Sequence, residues 1–220
     1  MRTIVYIDGY NLYYGLLKNS PYKWLDLFSF FQNHVLDKSA EVIEVRYYTA
    51  PLLGKMSDDP KSPQRQRIYI QALKTVHPNK ITIIEGRMES STPFQRLVNP
   101  ILEAPNLKAV KVWDFTEKKT DVNLATDMLS AAWRGICEQI VLCSNDTDLE
   151  GAFRNIHEHL PHIKMGLVAP IPGNDHRKIN NDLKRYAHWT KELSPIHLEN
   201  SQFPRVITRN SKPIIKPTEW

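Results

Sequence analysis

Two aspartates, Asp146 and Asp148, follow shortly after an apolar run that is expected to be a strand. Side chains at the end of such a strand are well placed to bind a ligand. Ile140 to Cys143 form a short, partly β-branched run typical of a buried strand, and Ser144 and Asn145 favour turns and caps. In an open α/β sheet, ligands bind in the crevice beyond the carboxyl ends of the strands. Carboxylates gathered there repel one another unless a cation or a proton neutralises them. We therefore expect a site for Mg²⁺ or Mn²⁺, both of which prefer oxygen ligands.

A third aspartate, Asp8, comes at the end of the first predicted strand. Thr3 to Ile7 alternates, so Asp8 is placed like Asp146. Asn11, one turn into the next helix, is expected to point back toward Asp8 and orient it or a bound water. The alternative is that Asp8 is only the N-cap of that helix, a position where Asp is favoured.

A fourth aspartate, Asp121, is predicted in the first turn of a helix that Thr120 can cap. The helix dipole alone favours an acid there, which is one explanation of this residue. The other explanation is that Asp121 belongs to the same cleft, with Lys119 beside it as a cation that could contact a phosphate. Asp127 is six residues further on, about 120° around the helix from Asp121, and is the weaker candidate.

The stretch from Lys55 to Lys80 carries six Lys or Arg against two Asp. It is predicted to be a polar loop followed by a helix that begins near Ser62 and Pro63, since Pro is favoured in a first helical turn. One interpretation is a solvated helix face, and the other is a phosphate-contacting arm with a tyrosine available to stack on a base. The residues predicted to bind substrate are Arg65, Arg67, Lys74 and Tyr69, with Tyr48 as a second stacking tyrosine.

Predicted strands alternate with predicted helices, which indicates an α/β fold with a mainly parallel sheet flanked by helices. Val110 to Phe115 is expected to run beside a strand from Ile81 to Gly86. The connection 87–108 contains three prolines and no clear periodicity, and is expected to be a loop beside the cleft. Residues 1–193 are predicted to form one domain, and 194–220 a basic, Pro-containing tail that packs on the domain or extends from it.

Composition limits the class of protein. The 220 residues are 41% hydrophobic, enough for one substantial core. Only four apolar residues, Ile4 to Ile7, precede the charge at Asp8, which is too few for a signal peptide or membrane span, so we expect a cytoplasmic protein that does not bind membranes. Cys137 and Cys143 are expected to be reduced packing residues. A formal charge of +5 and a pI near 9.1 favour a polyanionic partner.

Three segments together resemble the NYN-domain branch of the PIN-like nuclease superfamily. They are Ile7 to Gly15, Lys118 to Asp127 and Leu142 to Leu149. The segments from His197 to Pro204 and from Lys216 to Trp220 resemble the tail of a bacterial LabA-like subgroup.

The resemblance implies a three-layer, Rossmann-like fold and a Mg²⁺- or Mn²⁺-dependent phosphodiesterase. The implied substrate is RNA, with single-stranded DNA left open. The ion would activate water and shield the scissile phosphate, so that no protein nucleophile is needed. By position, the acidic metal ligands would be Asp8, Asp121, Asp146 and Asp148, supported by Asn11, Lys119, Ser144, Asn145 and Asp127. Asn145 departs from the pattern, because many relatives have Gly there.

Two other functions remain open from the sequence. One is a nucleic-acid-binding module that does not cleave, and the other is a small-molecule enzyme on the same fold. The absence of a G-x-G-x-x-G after the first strand and of a P-loop argues against an oxidoreductase. Whether the chain forms a homodimer, and whether one or two ions bind, is also left open.

Overall fold

The computed structural model describes residues 1–56, 59–172, 177–208 and 212–220. Strands form where β-branched and aromatic residues are concentrated, as at the start of the chain. In the described residues the strands are β1 (Arg2–Asp8), β2 (Glu41–Thr49), β3 (Ile81–Glu85), β4 (Arg87–Ser91), β5 (Phe94–Arg96), β6 (Ala109–Lys111), β7 (Asp114–Lys118), β8 (Gln139–Cys143), β9 (Lys164–Pro172), β10 (Trp189–Leu193), β11 (Val206–Ile207) and β12 (Ile214–Ile215).

The central sheet has six strands in the order β10-β9-β8-β1-β2-β3, and all its neighbouring strands are parallel. This confirms the predicted α/β fold. Ile7 of β1 pairs with Cys143 of β8, and Asp8 pairs with Tyr48 of β2. The residues that follow β1 and β8 therefore lie together at one edge, which we name the carboxyl edge of the sheet.

Helices cover both faces of this sheet. None of those in the described parts of the chain has the length and apolar character needed to cross a membrane. Short 3₁₀ turns occur at Gly54–Met56 and Thr147–Leu149. The helices are α1 (Gly9–Leu12, continued by the π-helical Tyr13–Leu17), α2 (Leu27–Phe30, continued by the π-helical Phe31–Val35), α3 (Ser62–Val76), α4 (Thr120–Trp133), α5 (Glu150–His159), α6 (Asn181–Lys184) and α7 (Pro195–Glu199).

Two hydrophobic cores lie on opposite faces of the sheet because side chains alternate along each strand. In β1, Val5 and Ile7 pack with α1, α2 and α3, whereas Ile4 and Tyr6 pack with α4 and α5. Cys137 and Cys143 are buried and free. The result is a three-layer arrangement that fixes the ends of β1, β8 and the start of α4 relative to one another.

The segment 87–118 differs from the prediction. It is not a loop with one strand beside β3. Instead, β4 pairs with β7 and β5 pairs with β6, both antiparallel. These strands are short, and their residues are exposed or only partly buried, so they show no apolar periodicity from which to predict them. The strand predicted at Val110–Phe115 falls on parts of β6 and β7, and its proposed pairing with β3 is wrong.

The described parts of the tail, 194–208 and 212–220, pack on the face covered by α2 and α3. Leu198, Phe203 and Ile214 are buried in the core of that face. The Nε1 of Trp24 donates a hydrogen bond to the carbonyl oxygen of Pro204 at 3.0 Å. The ring of Trp220 lies 6.3 Å from that of Trp24, so the end of the chain contributes to the same aromatic cluster.

Candidate functional site

Asp8 and Asp146 are brought together because β1 and β8 are neighbours. Asp8 is buried; its Oδ1 accepts a hydrogen bond from the Asn11 N–H at 2.9 Å, and its Oδ2 accepts one from the Ser144 hydroxyl at 3.0 Å. The N–H of Asp146 donates to Ser144 Oγ at 3.1 Å. Ser144 thus connects the two aspartates, and Asp8 is an N-cap and a member of the site at once.

Asp121 reaches the same place from the first turn of α4. The backbone of Gly86 passes so close to this helix start that a Cβ on Gly86 would lie 2.7 Å from the carbonyl oxygen of Lys118. One carboxylate oxygen from each of Asp8, Asp121 and Asp146 lies within 4.8 Å of the other two. We call these three residues the acidic cluster.

The electrostatics of the acidic cluster are those of crowded, partly desolvated acids. Burial raises the pKa of Asp8 from its ordinary value of 3.8 to about 6, and the charges of Asp121 and Asp146 add to that rise. The hydrogen bonds from Asn11 and Ser144 act in the opposite direction. Burial also raises the pKa of Asp121, followed by the charges of Asp146 and Asp148.

A divalent cation fits this donor set. All three residues offer carboxylate oxygens, the ligands that Mg²⁺ and Mn²⁺ prefer. None of the three forms an ion pair with a Lys or Arg in the described residues, and no other group of three possible ligands was found in that part of the chain. Carboxylates this close repel one another when they are ionised, and a bound cation would offset that repulsion. The cluster could therefore hold a metal ion.

Asp148 lies beside the cluster but outside the group of three. It is exposed, and its N–H donates to Asp146 Oδ1 at 3.0 Å. Its charge contributes to the raised pKa of Asp121, so it lies within electrostatic reach of the site.

Asn11 and Asn145 hold the loops at the carboxyl edge. The Asn11 side chain does not turn back to Asp8 as predicted; its Oδ1 accepts the Asn145 N–H at 3.1 Å. The Asn145 side chain donates to the carbonyl of Lys178 at 3.2 Å and accepts the N–H of Asn180 at 2.8 Å. Asn145 therefore ties the turn before Asp146 to the segment before α6, a role that Gly could not fill.

Lys119 and Asp127 occupy different positions around α4. Lys119 is the exposed residue before the helix, and its φ of 76° places it in the left-handed region, which is uncommon for a residue other than Gly. Asp127 lies outside the cluster and accepts a hydrogen bond from the Tyr48 hydroxyl at 2.9 Å. Asp127 thus forms a structural hydrogen bond. This agrees with the sequence analysis, in which Asp127 was the weaker candidate for the site.

Glu117 is an acid near the site that was not predicted. It is half-buried on β7, and its Oε1 has no hydrogen-bond partner in the described residues. Burial raises the pKa of Glu117, and the charges of Asp8 and Asp121 raise it further, so it faces the acidic cluster. The only sequence signal was its position just before Lys119, in a strand that the sequence did not predict in the correct place.

The predicted substrate-binding residues of α3 do not share a face. Arg67 and Lys74 are exposed. Arg65 points inward, where it pairs with Asp59 and lies 3.8 Å from a Glu219 carboxylate oxygen. Tyr69 is buried and donates to the carbonyl of Leu25 at 2.7 Å. The expectation of a tyrosine available for stacking on the exposed face is wrong, because Tyr48 is buried as well.

A cavity next to the acidic cluster was also not predicted. We call it the aromatic pocket, because six aromatic side chains line it: Tyr10, Tyr13, Tyr14, Tyr47, Tyr69 and Trp220. Gly9, Arg65 and Gln66 lie among the other lining residues. Gly9 follows Asp8 directly, so the pocket begins where β1 ends. The aromatic residues come from four distant parts of the chain and show no common spacing.

Comparisons with known proteins agree with this architecture. The sequence profile of the NYN domain family matches residues 2–188. The chain is 34% identical over 240 aligned positions to a Pseudomonas putida (strain DSM 28022 / S16) protein described as 6-hydroxy-3-succinoylpyridine 3-monooxygenase, covering 100% of this chain and 75% of that protein. The fold resembles the crystal structure of a protein of unknown function from Vibrio parahaemolyticus, with a TM-score of 0.50, 17% identity, and coverage of 88% and 93% of the two chains.

Proposed function

The chain belongs to the NYN domain family, and from this premise we propose that it is a divalent-metal-dependent nuclease that hydrolyses phosphodiester bonds, with RNA as the substrate. The family suggests a nuclease, and the acidic cluster offers a site for the ion. The proposed metal ligands are Asp8, Asp121 and Asp146. Asp148 is exposed and lies beside this acidic cluster. The segments that resemble the LabA-like tail support placing the chain in that subgroup.

The observation that carries the proposal is the convergence of three carboxylates with no cationic partner in the described residues. When bound, Mg²⁺ or Mn²⁺ would supply the positive charge that activates water and neutralises a phosphate. The chain's own residues hold the site in shape. Ser144 and the Asn11 N–H fix both oxygens of Asp8, and the N–H of Asp148 fixes Asp146 Oδ1.

RNA as the substrate is supported by charge. The chain carries a formal +5, and the exposed Lys118 and Lys119 lie at the start of α4, next to Asp121. Cations near a metal-binding cleft favour the approach of a phosphate backbone.

Cleavage assays test this proposal. Purified protein is incubated with single-stranded RNA and single-stranded DNA in Mg²⁺, in Mn²⁺ and in EDTA. We expect RNA cleavage with either ion and none in EDTA. Asp146→Asn should abolish cleavage and reduce the melting-temperature rise that Mn²⁺ produces in the wild type. Asp37→Asn, at an exposed aspartate, is the matched control and should retain both.

Other outcomes would replace the proposal. Binding of RNA without cleavage in either ion would favour a non-catalytic module. A second candidate, an enzyme acting on a small heteroaromatic compound, is favoured by two observations: the name of the Pseudomonas relative and the aromatic pocket beside the cluster. It would be preferred if the chain neither binds nor cleaves RNA but binds such a compound.

A further inference from the structure

The walls of the aromatic pocket suit a flat ring. Tyr10 and Tyr14 stack with ring centroids 5.8 Å apart, and Tyr69 and Trp220 meet edge to face at 5.6 Å. Tyr14 is 51% exposed and lies at the mouth, whereas Tyr69 is buried at the base. Aromatic side chains bind planar rings by stacking, and this binding tolerates differences among rings.

Two donors of the pocket make no hydrogen bond. The Tyr10 hydroxyl and the Arg65 Nη1 are buried, and neither has a hydrogen-bond partner in the described residues, although a Glu219 carboxylate oxygen lies 3.8 Å from the Arg65 Nη1. Gln66, by contrast, is fully engaged with the side chain of Thr49 and the backbone of Ala50 and Leu52. A tyrosine hydroxyl can donate one hydrogen bond. Buried donors are normally paired, so a ring that carries acceptor atoms would complete this site.

The pocket is joined to the acidic cluster through Tyr47 and Gly9. A Cβ on Gly9 would lie 2.8 Å from the Tyr47 hydroxyl, so the glycine lets this ring approach the end of β1. The charge of Asp8 contributes to the raised pKa of Tyr47, which places the hydroxyl within electrostatic reach of the cluster. A ring held in the pocket is therefore a neighbour of the atoms that would bind the metal.

We propose that the aromatic pocket binds a planar heteroaromatic ring with hydrogen-bond acceptors and that, resting on the proposed function, this ring is a nucleobase next to the scissile phosphate. Tyr14 contacts the ring at the mouth, where its own ring lies against Tyr10 and beneath the Lys18 Nζ. Tyr10 and Arg65 donate to the acceptor atoms of the bound ring. Trp220 lines the pocket beside Tyr69, and the neighbouring Glu219 lies 3.8 Å from Arg65. The pocket would thus select the base at the cleavage position.

Binding in EDTA tests the pocket without catalysis. Isothermal titration calorimetry is run with the four nucleoside 5′-monophosphates, with ribose 5-phosphate and with pyridine-3-carboxylate. We expect at least one nucleotide to bind and ribose 5-phosphate to bind at least about tenfold more weakly, since stacking contributes most of the affinity. Tyr14→Ala should weaken nucleotide binding by about tenfold, and Tyr10→Phe by about fivefold. Trp133→Ala, at an exposed aromatic residue on α4, is the control and should have no effect.

The ribose 5-phosphate and pyridine-3-carboxylate titrations test the identity of the bound ring without depending on cleavage. Equal binding of ribose 5-phosphate and nucleotides overturns the ring assignment. Binding of pyridine-3-carboxylate without nucleotides overturns the nucleobase assignment and identifies a free heteroaromatic ligand as the occupant.

Cleavage-site sequencing on a random RNA pool adds a second readout. A base preference in the wild type that Tyr14→Ala relaxes, with total cleavage retained, supports the inference. Metal-dependent cleavage with no base preference and no nucleotide binding overturns the inference alone. Nucleotide binding that Tyr14→Ala weakens, in a chain that cleaves nothing, supports the pocket and rejects the nuclease.

Discussion

The hydroxyl of Ser144 donates a hydrogen bond to Asp8 Oδ2 at 3.0 Å, across the junction between two neighbouring strands. Because this bond stabilises the ionised carboxylate, it keeps the pKa of Asp8 lower than burial alone would set it. The serine therefore favours the ionised form of Asp8, which is the form that could bind a metal ion.

Ser144→Ala should raise the pKa of Asp8 further, by about one unit, because a hydrogen bond to a charged group is lost. The pH at which Mn²⁺-dependent cleavage reaches half its maximum should rise accordingly. The measurement is the pH profile of cleavage between pH 5 and 9, with Ser130→Ala, at an exposed serine of α4, as the control. An unchanged profile would mean that Asp8 does not govern metal binding.

Asp8 should make the metal-free protein less stable as pH rises. Between about pH 4 and 6 the folded chain keeps a proton on Asp8 that the unfolded chain releases, so the free energy of unfolding falls across this interval. The raised pKa of about 6, against 3.8, corresponds to about 3 kcal/mol. Asp8→Asn should therefore match the wild type near pH 4 and exceed it by up to about 3 kcal/mol at pH 7.5.

Urea unfolding in EDTA at several pH values measures this difference. The variant keeps an acceptor for the Asn11 N–H, so its helix cap should survive. Asp37→Asn should differ from the wild type by the same amount at every pH. A difference for Asp8→Asn that is equally independent of pH would show that folding does not shift the pKa of Asp8.

Arg67 and Lys74 are the remaining candidates on α3 for phosphate contact. Lys74 lies twelve residues beyond Ser62, about 18 Å along the helix and away from the carboxyl edge. Arg67→Glu should therefore weaken RNA binding more than Lys74→Glu, and lower the slope of log affinity against log salt by about 0.7. Binding is measured with the Asp146→Asn chain to avoid cleavage.

Lys38→Glu is the control for this comparison, because Lys38 is exposed before β2, at the opposite edge of the sheet. If Arg67→Glu leaves the salt slope at the wild-type value, the exposed side of α3 is only a solvated helix face.

Gly86→Ala should displace the start of α4. The added methyl group would overlap the Thr120 side chain and the Lys118 carbonyl oxygen, a steric cost of about 1–3 kcal/mol. Because Asp121 follows Thr120, Mn²⁺ affinity should fall as well, which calorimetry measures. Gly151→Ala, where a Cβ meets nothing within 4 Å, should keep its Mn²⁺ affinity.

The sequence predicted that aspartates at the ends of two strands would lie close together. Asp8 and Asp146 each follow an apolar run, and a parallel sheet brings such residues to one edge. Asp121 was predicted from its place at a helix start. Arg65 and Tyr69 were assigned to the wrong side of α3, because this helix carries polar residues on both faces and the burial of Arg65 depends on the tail and on Asp59.

Glu117 could not be predicted, because an acid in a short, partly exposed strand has no distinctive spacing. Its proximity to Asp8 follows from the antiparallel pairing of β4 with β7, which depends on contacts between residues far apart in the chain. The aromatic pocket was missed for the same reason, since Tyr10 and Trp220 are separated by nearly the whole sequence.

The contact between Trp24 and Trp220 has a consequence for synthesis of the chain on the ribosome. Domains fold as their residues emerge, beginning at the amino terminus. The residues of the acidic cluster and strands β1, β8 and β9 are all present once residue 172 has emerged. The cluster around Trp24 must wait for Phe203, Pro204 and Trp220. We therefore expect the nascent chain to assemble its carboxylates before it can close the aromatic pocket.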